Sequence, residues 1–231
     1  MSRPLFLVPS VDVTVLDGPE GHHAADVMRL RAGEELLLGD GRGGLAAAVV
    51  QAVGRSRLDL AITKRWYEEP PAPRLVVAQG VAKGDRGELA VQAMTEVGVD
   101  EIVPWSAARS VARWKDDRPL QRWRSVAREA AKQARRAWLP SVSPVSSTAA
   151  LAPRVTFVLH EEATERLSTV PLPALPELVL AVGPEGGVAP EELAAFEAAG
   201  AVPVRLGDTV LRTSTAGVAA LAILSARLTR W

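Results

Sequence analysis

The chain has 231 residues, of which 48% are hydrophobic, 4% aromatic and 23% charged, and its 27 basic residues balance 27 acidic ones. This length suits one large domain, or a medium domain with a small one, and the composition excludes a disordered protein. The sequence has no cysteine, which excludes disulfides and zinc sites with cysteine ligands. No apolar stretch is long enough for a signal peptide or a membrane span, so we expect a cytoplasmic protein without a membrane anchor.

Short apolar segments separated by glycine-rich turns predict a small β-structure in the first part of the chain. Residues 34–38, 45–53 and 58–65 are the strand candidates, and Gly39-Asp-Gly-Arg-Gly-Gly44 is the turn between the first two. One helix, over about residues 20–30, interrupts them. This pattern is typical of a small barrel or sandwich.

A charged, proline-rich segment, Glu68-Glu-Pro-Pro-Ala-Pro73, predicts an extended connector and hence a domain boundary. It separates a first domain, 1–69, from a second, 74–231. In the second domain strands and helices alternate, which predicts an α/β fold with a mainly parallel sheet. The predicted strands are 75–81, 101–105, 155–160, 178–182 and 202–206, and the predicted helices are 87–97, 118–137, 190–199 and 213–230.

Basic residues concentrate in the middle of the neutral chain. Residues 109–136 hold ten Lys and Arg against three Asp and Glu. A local basic face can collect phosphates even when the net charge is zero, which favours RNA as a partner. A solvated helix face is the ordinary alternative.

Two late loops are candidates for a ligand site. Gly183-Pro-Glu-Gly-Gly187 follows a strand without polar alternation, and in residues 206–216 three hydroxyl residues directly follow Arg212 where the final helix begins. In open α/β sheets, ligands bind beyond the carboxyl ends of the strands. Capping of the last helix explains one hydroxyl residue but not three beside an arginine. The pair of loops predicts a nucleotide-like ligand site, with an ordinary turn and a capping segment as the alternative.

These loops also resemble a known family. Gly183-Pro-Glu-Gly-Gly187, followed by Leu206-Gly207 and Val210-Leu-Arg-Thr213, is similar to the cofactor loops of the SPOUT class of methyltransferases. Within that class the chain resembles the 16S ribosomal RNA uridine-N3 methyltransferases, the RsmE family. Further matches occur in order over nearly the whole chain, at residues 22–33, 40–43, 83–86, 92–98, 109–111 and 129–135.

The resemblance implies a fold and a function. Residues 1–69 are expected to form a PUA-like RNA-binding β-barrel, and residues 74–231 a SPOUT domain with a C-terminal trefoil knot. The expected cofactor is S-adenosylmethionine, held by the loops of the knot. The expected substrate is 16S rRNA, in the 30S ribosomal subunit, and the expected assembly is a homodimer with the active site near the subunit interface. Because the chain has three His and no Cys, we expect no metal site and no role in metal binding for His22 and His23.

The resemblance also implies which residues act. Removing the N3 proton of uridine leaves negative charge on O2 and O4, so a nearby arginine can stabilise the anion. Arg212 is the first candidate, followed by Gln133 and Arg135; a general base is not evident, although Glu185 is one candidate. Expected RNA contacts are His22, His23, Arg29, Arg31, Lys83, Arg86, Arg109 and Arg136. Expected cofactor contacts are Val182, Gly183, Pro184, Glu185, Gly186, Gly187, Leu206, Gly207, Val210, Leu211, Thr213, Thr215 and Ala216.

Two positions depart from the family pattern: Ser214 stands where many members have Glu, and Lys132 where an acidic residue is frequent. Three alternatives stay open from the sequence. One is a SPOUT enzyme acting on another RNA, such as transfer RNA or 23S rRNA. The second is a non-catalytic protein of RNA binding or ribosome assembly. The third is a Rossmann-type nucleotide enzyme.

Overall fold

The computed structural model describes residues 3–231, which form two compact units. The first contains the residues up to Pro70 together with Ala131–Leu139, and the second contains Pro71–Ala130 and Pro140–Trp231. Each unit has its own apolar core. Among the described residues, no helix is both long and apolar enough to cross a bilayer.

The first unit is built on a mixed five-stranded sheet in the order β1-β3-β4-β5-β2. Strand β1 runs parallel to β3, and the other neighbours are antiparallel. Alternate side chains of β3, such as Leu36 and Leu38, are fully buried, as the two-residue period of a half-buried strand requires. The three predicted strands are confirmed. The strands are β1 (Leu5–Leu7), β2 (Val15–Leu16), β3 (Glu35–Gly39), β4 (Gly44–Gly54) and β5 (Arg57–Tyr67).

The helix predicted over residues 20–30 is wrong in its bounds and partly in its type. It begins earlier, as α1 (Gly18–His22), because proline at its second position favours a helix start. The following turn, His23–Val27, is π-helical, with Met28 N–H bonded to the His23 carbonyl at 2.8 Å. Arg29, at φ 57°, then ends the helical path.

The second unit is an α/β layer with an all-parallel six-stranded sheet in the order β11-β9-β10-β6-β7-β8. The predicted fold class is therefore confirmed. The central strands carry apolar side chains on both faces, as buried parallel strands do. The strands are β6 (Arg74–Gly80), β7 (Glu101–Trp105), β8 (Ser141–Val142), β9 (Phe157–Leu159), β10 (Glu177–Val182) and β11 (Val202–Val204). The helices are α2 (Arg86–Glu96), α3 (Arg118–Gln133), α4 (Thr148–Leu151), α5 (Pro190–Ala198) and α6 (Thr213–Arg227).

Helix α3 ends at Gln133, four residues before the predicted end. Arg135 adopts φ 53°, and the Arg136 and Arg135 N–H groups bond the Ala131 and Lys132 carbonyls at 2.9 and 3.0 Å. This is the Schellman arrangement that closes helix C-termini. Lys132 is almost buried, and its ammonium lies 2.9 Å from the Glu20 carboxylate. The charge of Lys132, a departure from the family pattern, is therefore taken up by an ion pair within the protein.

A buried carboxylate at the start of β7 gives the second unit a pH-dependent stability. Burial alone would raise the pKa of Glu101, but hydrogen bonds from Ser143 and Arg154, with the charges of Arg154 and Arg74, outweigh burial and lower it. A lowered pKa stabilises the fold above the ordinary value near 4.5, and this contribution is lost as the pH falls through the depressed pKa. We expect Glu101→Gln to lower the free energy of unfolding by about 2 kcal/mol at pH 7, with the difference shrinking below about pH 4.5. Urea titrations at pH 7 and pH 4 measure it, and an equal difference at both would contradict it.

Candidate functional site

A cavity of about 450 Å³ opens at the carboxyl end of the parallel sheet in the second unit. Its walls are the connections that follow β9, β10 and β11, so the cavity lies where ligands bind in open α/β sheets. It is lined by Arg86, Leu159, His160, Glu161, Val182, Gly183, Pro184, Glu185, Gly186, Gly187, Val188, Val204, Arg205, Leu206, Gly207, Thr209, Val210, Leu211, Arg212, Thr213 and Ala216.

The cavity brings together the two loops singled out in the sequence. Of the residues expected to contact a cofactor, Thr215 alone is missing from the lining. Its side chain is exposed on the first turn of α6, where its hydroxyl donates to the Arg212 carbonyl at 3.2 Å. Ser214, the departure from the family pattern, is buried and does not line the cavity either.

Arg109 hydrogen-bonds the loop 183–187 but does not line the cavity. Its guanidinium donates to the carbonyl oxygens of Gly186 and Val188 at 3.2 and 3.4 Å. The loop and Arg109 are so close that a Cβ at Gly186 would lie 3.0 Å from the Arg109 Cβ. The preceding residue, Ala108, donates its N–H at 2.8 Å to the buried Glu192 at the start of α5. Arg109, expected from the sequence to contact RNA, is thus engaged with the glycine-rich loop.

Glu185 ties the same loop to the segment before α2. One of its carboxylate oxygens accepts the Lys83 N–H at 3.1 Å and lies 3.3 Å from the Arg86 guanidinium. Arg86 thereby becomes part of the cavity wall, while the Lys83 side chain is exposed. These contacts favour a structural role for Glu185 over that of a general base.

The second loop offers its backbone to the cavity. Within the described part of the chain, the N–H groups of residues 207–211 have no hydrogen-bond partner. A Cβ placed on Gly207 would meet no atom within 4 Å, so the backbone at Gly207 is uncrowded. Arg212 is exposed and forms no ion pair with a residue in 3–231. Free backbone donors beside an unpaired arginine form a site for a ligand with several acceptor atoms.

One wall of the cavity was not predicted from the sequence. It consists of Leu159 at the end of β9 and of His160 and Glu161 after it, and the His160 Nδ1 accepts the Glu162 N–H at 3.3 Å. Of the three, only Glu161 lies beyond the strand predicted at 155–160, where ligands bind in open α/β sheets.

The remaining predicted residues lie apart from this cavity. Gln133 and Arg135 are exposed, belong to the first unit and do not line the cavity, so Arg212 is the one lining residue among the three catalytic candidates.

Among the predicted RNA contacts of the first unit, His22 bonds the Asp26 carboxylate at 2.8 Å, and hydrogen bonds from Ser56 and His22 hold the pKa of Asp26 below its ordinary value. The other predicted RNA contacts in this unit are His23, packed edge-on against Phe6, the exposed Arg29 and Arg31, and the half-buried Arg136. Within residues 3–231, no group of three or more His, Asp and Glu could hold a metal ion.

Comparison with known proteins identifies the family. A family model described as an RNA methyltransferase domain matches residues 68–225, and one described as an RNA methyltransferase PUA domain matches residues 16–63. Ribosomal RNA small subunit methyltransferase E of Mycobacterium tuberculosis is 49% identical over 95% of this chain and 88% of its own. The Bacillus subtilis protein of the same name is 30% identical, over 94% and 90%. A crystal structure of ribosomal RNA small subunit methyltransferase E from Neisseria gonorrhoeae, bound to S-adenosyl methionine, covers 98% of both chains with 25% identity and a TM-score of 0.87. The chain therefore belongs to the ribosomal RNA small subunit methyltransferase E family.

Proposed function

We propose that this protein transfers a methyl group from S-adenosylmethionine to N3 of a uridine in 16S rRNA, with the 30S subunit as substrate. The observation that carries the proposal is the 450 Å³ cavity between the two late loops, in a chain whose relative from Neisseria gonorrhoeae binds S-adenosyl methionine. We assign the cofactor to residues 74–231 and RNA binding to residues 1–69. A homodimer and a cytoplasmic location belong to the same proposal, and the trefoil knot stays a prediction from the resemblance.

The cavity suits the chemistry of S-adenosylmethionine. Its volume is within the range of sites that hold small molecules, about 300–1,000 Å³. The unpaired N–H groups of residues 207–211 match the acceptor atoms of a purine ring. The Glu161 carboxylate at the cavity wall suits an ammonium group. When bound, the cofactor supplies a methyl group on a sulfonium, which needs an aligned nucleophile and no metal.

Arg212 is the residue we assign to the chemical step. The N3 atom of uracil carries a proton, and once that proton has passed to water, negative charge develops on O2 and O4. A guanidinium at the cavity mouth can donate hydrogen bonds to one of these oxygens and stabilise the anion as it forms. Gln133 and Arg135 are not in the cavity of their own chain, so we propose that they act, if a homodimer forms, on the site of the other subunit.

Arg109 gives a test that separates cofactor binding from RNA binding. We expect Arg109→Ala to weaken S-adenosylmethionine binding about tenfold, because two carbonyl groups of the cofactor loop lose a charged donor. The KM for RNA should change little. Calorimetry and steady-state kinetics measure the two effects, and Arg57→Ala, at an exposed arginine outside residues 74–231, is the control for the cofactor affinity. A raised KM for RNA with unchanged cofactor affinity would show instead that Arg109 contacts RNA.

The proposed function is tested first by calorimetry with S-adenosylmethionine, and then by methyl transfer to unmodified 30S subunits and to transfer RNA. We expect binding and transfer to 30S subunits. Absence of binding would overturn the proposal. Binding without transfer would favour a role in ribosome assembly, and transfer to transfer RNA would favour another RNA target.

A further inference from the structure

We propose that Gln79 positions the two cofactor loops through a directed hydrogen-bond relay that runs from Gln79 to Thr213 and on to Gly183. The inference rests on the proposed function, because it concerns the site that would hold S-adenosylmethionine. Gln79 lies near the end of β6 and is fully buried. Its side chain points to the same face of the strand as Leu75 and Val77, which belong to an apolar cluster with α2 and α6. A fully buried amide beside an apolar cluster has to be explained by the hydrogen bonds that it makes.

The relay consists of two short hydrogen bonds. The Gln79 Nε2 lies 2.9 Å from the Thr213 Oγ1, and the Thr213 Oγ1 lies 2.8 Å from the Gly183 carbonyl oxygen. A second contact joins the Gln79 Nε2 to the Gly80 carbonyl oxygen at 3.3 Å. Both N–H bonds of the amide are thus directed to acceptors.

Proton counting fixes the direction of the relay. A threonine hydroxyl has a single proton, and the Gly183 carbonyl can only accept. Thr213 must therefore donate to Gly183, and it can only accept from its other partner. Gln79 consequently has to present its NH₂ group to Thr213, which is the orientation observed. A carboxylate at position 79 could not replace the amide, because it has no proton to donate.

The other end of the Gln79 amide shows that the residue is not there for stability alone. Its Oε1 is buried and has no hydrogen-bond partner among residues 3–231. A buried acceptor without a partner is destabilising, and an apolar residue of similar size would avoid that penalty. The presence of an amide here is therefore explained by its two N–H donors. One of them bonds Gly80 in β6, and the other bonds Thr213, which lines the cavity.

The relay connects two parts of the chain that both line the cavity. Gly183 opens the loop that follows β10, and Thr213 begins α6 directly after the second loop. Fixing their separation before the cofactor arrives reduces the ordering that binding requires. Loss of the relay should weaken S-adenosylmethionine binding and raise its KM, while the KM for RNA stays nearly unchanged.

Three variants test the relay by calorimetry with S-adenosylmethionine. Thr213→Val removes the hydroxyl at constant size and should raise the Kd roughly tenfold. Gln79→Met should raise it less, roughly threefold, because Thr213 keeps its bond to Gly183. Thr213→Ser keeps the hydroxyl and should bind nearly as well as the unaltered protein. The double variant Gln79→Met with Thr213→Val should be no weaker than Thr213→Val alone, because partners in one relay are not additive.

A control separates loss of the relay from general destabilisation. Thr95 is also fully buried, and its hydroxyl bonds the Val91 carbonyl within α2, away from the cavity lining. Thr95→Val should lower the melting temperature without changing the Kd. If the unaltered protein binds the cofactor and Thr213→Val binds equally well, or if Thr213→Ser is as weak as Thr213→Val, the relay is wrong. If the unaltered protein does not bind, the proposed function fails instead.

Discussion

Replacing Arg212 by alanine is expected to lower kcat by roughly 10²–10³-fold while the affinity for S-adenosylmethionine stays unchanged. The arginine lines the cavity but is exposed and forms no ion pair with a described residue, so its charge is available to a substrate. In the proposed reaction, charge on the uracil oxygens develops only as the N3 proton leaves. An interaction that strengthens at that stage raises kcat rather than ground-state binding.

Single-turnover rates with radiolabelled cofactor over a range of pH give the sharpest readout for Arg212. The deficit of Arg212→Ala should shrink as the pH rises, because the uracil anion then forms without help from the guanidinium. The single-turnover rate of Arg212→Lys should lie between those of Arg212→Ala and the unaltered protein, since lysine keeps the charge but not the planar fork of donors. Normal turnover in Arg212→Ala with unchanged cofactor binding would show that the arginine does not stabilise the anion.

Replacing Gly80 by alanine is expected to weaken cofactor binding by roughly 100-fold. A Cβ at Gly80 would lie 2.6 Å from the Pro184 nitrogen and 2.9 Å from the Gly183 carbonyl carbon. These are backbone atoms of the cavity loop 183–187, which cannot turn aside as a side chain can. Overpacking of this kind costs about 1–3 kcal/mol, and here the loop that must move is the wall of the cavity.

Gly54→Ala is the matched control for Gly80→Ala. Gly54 lies at the end of β4, and a Cβ there would meet nothing closer than 3.8 Å. Both variants should remain folded by circular dichroism, and only Gly80→Ala should lose affinity in calorimetry. If Gly80→Ala binds within about threefold of the unaltered protein, the loss is smaller than the roughly 1–3 kcal/mol expected of overpacking. The loop would then be able to shift without harm to the site.

The features that the sequence predicted well are those set by local patterns. Strand β7 has the predicted bounds, and β6 and β10 are within one residue of theirs, because buried parallel strands read as continuous apolar runs. The two cavity loops were found because glycines and hydroxyl residues clustered directly after strands.

The features that escaped prediction depend on contacts between distant parts of the chain. Lys132 is the penultimate residue of the basic helix α3, yet its ion-pair partner is the distant Glu20. Arg109 belongs to a basic stretch that favoured RNA, yet its guanidinium bonds the loop at Gly186. The sequence around Gln79 predicts no special role for it, since its side chain hydrogen-bonds Thr213, far along the chain. Tertiary partners of this kind leave no periodic trace in a single sequence.

The central claim is tested most directly by mass spectrometry of 16S rRNA after incubation of the protein with unmodified 30S subunits and isotopically labelled S-adenosylmethionine. We predict one labelled methyl group, on N3 of a uridine, at a single position in the RNA. A labelled methyl group on another atom would contradict the assignment to uridine N3. An unlabelled 16S rRNA, from a protein that binds the cofactor, would contradict the proposed function itself.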